Sequence, residues 1–165
     1  MLLTEFDDNR QAIINPEDLN EPLEGFPKIA VSCFSRSTFQ RMLEMFPHEL
    51  IYETSIANVA IPIYKLVIDE QELALFNAPV GASACVAILE DIFALGTDKL
   101  VLFGTCGVLD EDIKETSIII PSHALRDEGT SFHYVEASDE IAVNVGVLDR
   151  FRSYLNERQI SHKEG

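Results

Sequence analysis

Apolar side chains in the first hundred residues follow two alternating rhythms. Lys28–Phe34 (KIAVSCF) is a short, almost continuous apolar run, the pattern of a core strand. Behind it, Phe39, Met42, Leu43 and Phe46 recur at helical spacing. They predict a helix over Thr38–Phe46, capped by Ser35 or Ser37 and stopped by Pro47. Val59–Ile68 and Glu72–Phe76 read as two strands joined by a turn at Asp69-Glu70-Gln71. Pro79-Val80-Gly81 interrupts the second of these. From Ala82 to Leu95 the helical period returns: Cys85, Ile88, Leu89, Ile92 and Leu95 form a stripe, and Gly96 stands where a left-handed C-terminal cap belongs. Lys99–Phe103 is apolar again. Strand, helix and strand in this order make a β-α-β unit, with a parallel pairing and Lys99–Phe103 as a central strand.

Outside this region the rhythm is weaker. Residues 1–27 hold Pro16, Pro22 and Pro27 among acidic side chains and read as an irregular arm. Ser117–Pro121 and Ser122–Leu125 suggest a strand bent at its proline, and Arg126–Tyr134 (RDEGTSFHY) a polar loop. Glu140–Arg158 reads as an amphipathic helix starting near Ser138, with Ile141, Val145, Leu148, Phe151 and Leu155 on one side. The pattern stops at Gly165, just after a helix, where another buried strand would be expected. Either the fold is complete and compact, or it is a shorter version of something longer. A single α/β domain over residues 1–165 is the expectation.

Composition narrows the possibilities. Hydrophobic residues make up 47% of the 165 and charged residues 24%, which suits a globular chain. No apolar run approaches the ~18 residues of a membrane span, and the opening MLLTEFDDNR lacks the features of a signal peptide. A formal charge of −16 repels phosphate backbones and anionic lipid, arguing against nucleic acid and membrane surfaces as partners. A small anionic ligand would need a local positive island. The three cysteines, Cys33, Cys85 and Cys106, are odd in number and sit in apolar runs, as reduced thiols in a cytoplasmic protein would. Cys33 and Cys85 read as buried small hydrophobes. No zinc-type spacing occurs, so no metal is expected.

Two segments concentrate chemistry. In Gly104-Thr105-Cys106-Gly107 two glycines bracket a hydroxyl and a thiol directly after an apolar strand. The segment is either an ordinary tight turn or a place where backbone amides approach a ligand at a strand's carboxyl end. RDEGTSFHY packs Arg126, Asp127, Glu128, Ser131, His133 and Tyr134 into nine residues. His133 beside carboxylates could act as a general base, or the loop is held together by its own hydrogen bonds. His48 and His162 read as solvent-exposed.

The segments VGASACVAILEDIFALGTDKLVLFGTCGVL and SIIIPSHALRDEGTSFHY together resemble the nucleoside phosphorylase family, in its uridine phosphorylase and hexameric purine nucleoside phosphorylase branch. The resemblance spans Lys28–Gly165. It implies a three-layer α/β/α fold around a mixed, mostly parallel sheet, lacking the family's C-terminal third. It also implies phosphorolytic cleavage of a nucleoside's N-glycosidic bond to free base and ribose 1-phosphate, a pentosyltransferase activity. No metal or organic cofactor is implied, inorganic phosphate being the co-substrate, and the implied assembly is a homo-oligomer. Residue by residue, Thr105 matches the hydroxyl that contacts phosphate and ribose, Cys106 and Gly107 the pair beside the base, and Val80 and Gly81 the turn lining the ribose. Arg36, with Thr105, is the candidate phosphate contact, and Ser32 and Ser35 are possible helpers. The family's arginine two residues before the strand-end glycine is here Leu102, and the region of the arginine lent by a neighbouring subunit falls near Val59. A second reading is therefore a catalytically impaired homologue that serves as a nucleoside-binding or assembly module.

Overall fold

The protein is described by a computed structural model covering residues 5–113 and 118–165. It divides into two compact units, Asn9–Thr105 and a second formed by Met1–Asp8 with Cys106–Gly165.

The first unit is built on a five-stranded sheet in the order β2-β3-β4-β1-β5. These strands are β1 (Ile29–Cys33), β2 (His48–Ile56), β3 (Val59–Ile68), β4 (Gln71–Asn77) and β5 (Lys99–Phe103). β1 lies between β4 and β5 and is parallel to both, while β2, β3 and β4 form an antiparallel meander. Because side chains alternate across a strand, β4 sends Leu73 and Leu75 to one face and Ala74 and Phe76 to the other, and all four are buried. A strand covered on both faces needs a layer on each side. Helix α2 (Arg36–Met45) supplies one, packing Phe39 and Leu43 with Cys33, Leu66 and Leu75. Helix α3 (Ala82–Ala94) supplies the other, packing Cys85, Ile88 and Ile92 with Ala30, Ile63 and Phe76. Each fully buried Ile or Leu stabilises this arrangement by about 1.5–3 kcal/mol. The unit is thus an α/β/α sandwich.

The helix boundaries follow local chemistry. Ser35 caps α2 by accepting from the Thr38 amide at 3.2 Å, so the helix starts at Arg36, earlier than the apolar stripe indicates. α3 closes as expected at Gly96, whose φ of +123° suits a residue without Cβ. The Gly96 amide reaches Phe93 O and the Thr97 amide Ile92 O, a double closure of the last turn. The arm contains one short helix, α1 (Pro16–Leu19), and is tied down by Asn20 Nδ2, which donates to Asp91 Oδ1 at 2.8 Å. The β3–β4 hairpin turns through Asp69 (φ 49°) and Glu70 (φ 65°).

Two expectations are corrected here and one strand is added. The Lys99–Phe103 strand exists with those bounds, but among the described residues it is the last in its sheet: β5 pairs only with β1, and Leu102 and Phe103 are 40% and 39% exposed. Apolar runs mark strands without distinguishing edge from centre. His48–Ile56, absent from the sequence reading, forms the opposite edge. And Glu140–Arg158 is not one helix.

In the second unit that stretch splits into β8 (Glu140–Ala142) and α4 (Val145–Glu157), with Asn144 as N-cap, accepting from Val147 N at 3.2 Å. Ser138 is not its cap. Leu148 and Leu155 of α4 pack on Ile120 of β6 (Ile118–Ile120), which pairs in parallel with β9 (His162–Glu164). β7 (His123–Leu125) pairs antiparallel with β8. The expected strand start at Ser117 lies outside the described residues. Arg152 of α4 pairs with both Asp149 and Glu164, fastening β9 to the helix.

Candidate functional site

In the first unit, parallel pairing brings the carboxyl ends of β1, β4 and β5 to one end of the sheet: Cys33 is level with Asn77 on one side and Phe103 on the other. The segments that follow these strands line the rim where ligands settle in open α/β sheets. Beyond β1 come Phe34, Ser35 and Arg36. Past β4 lie Val80 and Gly81, leading into α3. After β5 come Gly104 and Thr105.

Several polar groups at this rim are already engaged. Ser32, with no exposed surface, donates from Oγ to the Phe76 carbonyl at 2.9 Å and accepts from the Ala78 amide at 3.0 Å. It splices β1 to the corner after β4 and faces no ligand, which corrects its expected role at phosphate. The Asn77 amide donates to Cys33 O at 2.6 Å. Ser35 Oγ, besides capping α2, meets Ser37 Oγ and Thr38 Oγ1, each at 3.0 Å.

Other groups stay open. Arg36 is exposed and makes no ion pair or side-chain hydrogen bond among the described residues. Gly81, the N-cap of α3, has φ +108° and offers no side chain, so the first-turn amides of α3 lack a side-chain cap. Such amides, with the positive end of the helix dipole, suit an anion or a sugar oxygen. Val80 is 83% exposed, and Thr105 and Gly104 are exposed. A Cβ added at Gly104 would come within 3.2 Å of Phe34 Cδ2. The glycine thus makes room for a neighbouring ring, where the sequence suggested room for a ligand.

Cys106 and Gly107 are exposed and belong to the second unit. Cys33 and Cys85 are buried, and loss of solvation pushes both thiols up from their ordinary pKa.

The RDEGTSFHY loop resolves towards its structural alternative. Arg126, 7% exposed, donates from Nε to Ser131 Oγ at 2.9 Å and from Nη1 to Glu136 O at 2.6 Å and Ser138 Oγ at 2.9 Å. Nη2 reaches Val135 O at 3.3 Å, and the guanidinium lies 4.1 Å from the Phe132 ring centre. Glu128 accepts from the Thr130 and Ser131 amides, and hydrogen bonding from Ser131 holds its carboxyl below the usual range. His133 is exposed and pairs with no carboxylate among the described residues.

The α/β/α unit gathers its open groups at parallel strand ends, the place where open α/β sheets hold their ligands. Residues 28–165 match the sequence profile of the phosphorylase superfamily, and the chain belongs to that family. It is 27% identical over 74 residues to a guanosine phosphorylase of Halorubrum lacusprofundi, covering 43% of this chain and 31% of that one. The fold is similar to that of a uridine phosphorylase from Vibrio fischeri (TM-score 0.73, 17% identity, 94% of this chain and 64% of that one). It is also similar to a Toxoplasma gondii purine nucleoside phosphorylase (TM-score 0.73, 16% identity, 88% and 60%). A third similar structure is the Helicobacter pylori 5'-methylthioadenosine/S-adenosylhomocysteine nucleosidase (TM-score 0.66, 21% identity, 86% and 63%). The chain spans slightly under two thirds of the length of these solved relatives.

Proposed function

We propose that this chain binds a nucleoside at the rim of its first unit and takes part in phosphorolysis of the N-glycosidic bond, giving free base and ribose 1-phosphate. The observation that carries this reading is the convergence of three parallel strand ends on open donors: Arg36, the α3 first-turn amides and Thr105. Departure of the base leaves an oxocarbenium-like sugar, and fixed donors that orient ribose and phosphate around it lower the barrier. Arg36 and Thr105 take the phosphate, a guanidinium being suited to that ion. Val80 and Gly81 line the ribose. Phosphate is the co-substrate with no further cofactor, and the working form is a cytoplasmic homo-oligomer.

A specific observation favours a second reading. Leu102, half-exposed at the end of β5, occupies the position of a family arginine, leaving Arg36 as the one cation among the described residues following these strand ends. A nucleoside-binding module without turnover fits that lone charge. The test is to incubate the protein with uridine, inosine, guanosine or adenosine, with and without phosphate, and follow free base by chromatography. Phosphate-dependent release supports phosphorolysis, and equal release without phosphate identifies a nucleosidase. No release, with calorimetric binding retained, establishes the module; neither release nor binding removes nucleosides altogether.

A further inference from the structure

We propose that the cleft beside Arg126 in the second unit holds a free α-amino acid with an apolar side chain, its carboxylate on Arg126 and its ammonium on Asp127 and Asp139. The site stands on the second unit alone and is independent of the nucleoside reading.

The β7–β8 ladder assembles it. Leu125 lies opposite Glu140, and the Arg126 amide donates to Asp139 O at 2.9 Å, carrying the pairing one step beyond both strands. Residues 126–127 and 138–139 therefore leave the ladder side by side. With Leu125 and Phe132 they line a cavity of about 510 Å³, within the ~300–1,000 Å³ of small-molecule sites.

Arg126 is a buried charge without a counter-charge. It is 7% exposed, and its partners are all neutral: two serine hydroxyls, the Val135 and Glu136 carbonyls and the Phe132 ring. Buried guanidinium groups are ordinarily matched by a carboxylate or another anion. A guanidinium has five N–H groups. Here four meet acceptors, and one on Nη2 meets none among the described residues. That N–H and the unmatched charge call for an anionic oxygen.

The other lining residues fix what accompanies that oxygen. Asp127 and Asp139 are exposed, and their carboxylates make no hydrogen bond or ion pair among the described residues. Glu128, by contrast, is spent on the Thr130 and Ser131 amides. A simple anion would have to pass two open carboxylates, and a simple cation would leave the guanidinium unmatched and meet its repulsion. A ligand carrying both charges on one carbon answers each. Leu125, 79% exposed, and the Phe132 ring supply apolar surface for its side chain.

Calorimetry with L-leucine, glycine, isocaproate and isoamylamine, on the intact chain and on the double variant D127N/D139N, tests the assignment. Isocaproate is leucine without its ammonium, isoamylamine is leucine without its carboxylate, and glycine lacks the side chain. Leucine should titrate the intact chain, and each of the other three should bind about tenfold more weakly, as loss of a charged hydrogen bond or of apolar contact predicts. The double variant should lose about tenfold for leucine and nothing for isocaproate. Both aspartates are exposed and unbonded, so the variant should fold, which far-UV circular dichroism checks; were it misfolded, the ranking of the four ligands on the intact chain decides alone. Isocaproate or isoamylamine binding as tightly as leucine overturns the two-charge ligand. Glycine binding as tightly as leucine overturns the apolar contact, and undiminished leucine binding in a folded double variant overturns the role of the aspartates. No titration by any of the four overturns the site and leaves Arg126 as a fastening of its own loop.

Discussion

Replacing Ser32 with alanine separates a structural from a ligand-facing role at the β1 end of the rim. In the native chain its hydroxyl donates to Phe76 O and accepts from Ala78 N at 2.9 and 3.0 Å, with no solvent contact. Ser32→Ala removes both bonds. The Ala78 amide retains a second acceptor, Cys33 O at 3.1 Å, so it is not stranded. The Phe76 carbonyl loses its hydroxyl donor outright. A net hydrogen bond contributes about 0.5–1.5 kcal/mol, and a buried group left short costs about 1–3 kcal/mol. With one group short and no clash from the smaller side chain, the loss works out at about 1–2 kcal/mol. At a urea slope of about 2 kcal/mol per molar the unfolding midpoint falls by about 0.5–1 M. Urea titration followed by far-UV circular dichroism reads that shift, and calorimetry reads phosphate and nucleoside affinity, expected to stay within about threefold. An unmoved midpoint together with weakened phosphate binding would refute the argument and return Ser32 to the ligand.

Further outcomes follow from the same geometry. An aromatic disulfide reagent should label Cys106 rapidly in the native protein and Cys33 and Cys85 only on unfolding, because those two thiols are buried and disfavoured as thiolates; Cys106→Ser should abolish the fast phase. Asp91→Ala removes the acceptor of Thr54 Oγ1 at 2.6 Å and of Asn20 Nδ2 at 2.8 Å, costing about 1–2 kcal/mol and accelerating proteolysis within residues 9–25. The Glu128 carboxyl has its folded pKa lowered, so its hold on the Thr130 and Ser131 amides is complete above the ordinary carboxylate range and is lost as pH falls through the lowered value. Amide exchange at those positions should therefore quicken only below the ordinary carboxylate range; quickening already near neutrality would contradict the contact.

The elements that were legible in the sequence are those whose burial is periodic. Val59–Ile68 and Lys99–Phe103 were bounded to the residue, and the α3 stripe with Gly96 was clear, because each face there is dictated by the core. β2 escaped notice because its charged residues, Glu49 and Glu53, interrupt any alternation on a half-solvated edge strand with an irregularity between Leu50 and Tyr52. The three-residue strands β8 and β9 exist through their pairing partners, so no local pattern announces them. At the rim, Gly81 and Arg36 could be named from sequence. Spent hydroxyls could not, since whether Ser32 faces β4 or a ligand depends on a partner 44 residues away.

The hairpin between β3 and β4 carries a consequence for how the first unit assembles. Two adjacent residues with side chains, Asp69 and Glu70, hold left-handed backbones, each at a cost of up to about 1–2 kcal/mol. A bend with that cost draws its stability from the two strands it joins, whose twist such a turn matches. Glycine at position 70 would remove part of that burden at the end of the sheet remote from the ligand groups, offering a handle for hardening the protein without touching its chemistry.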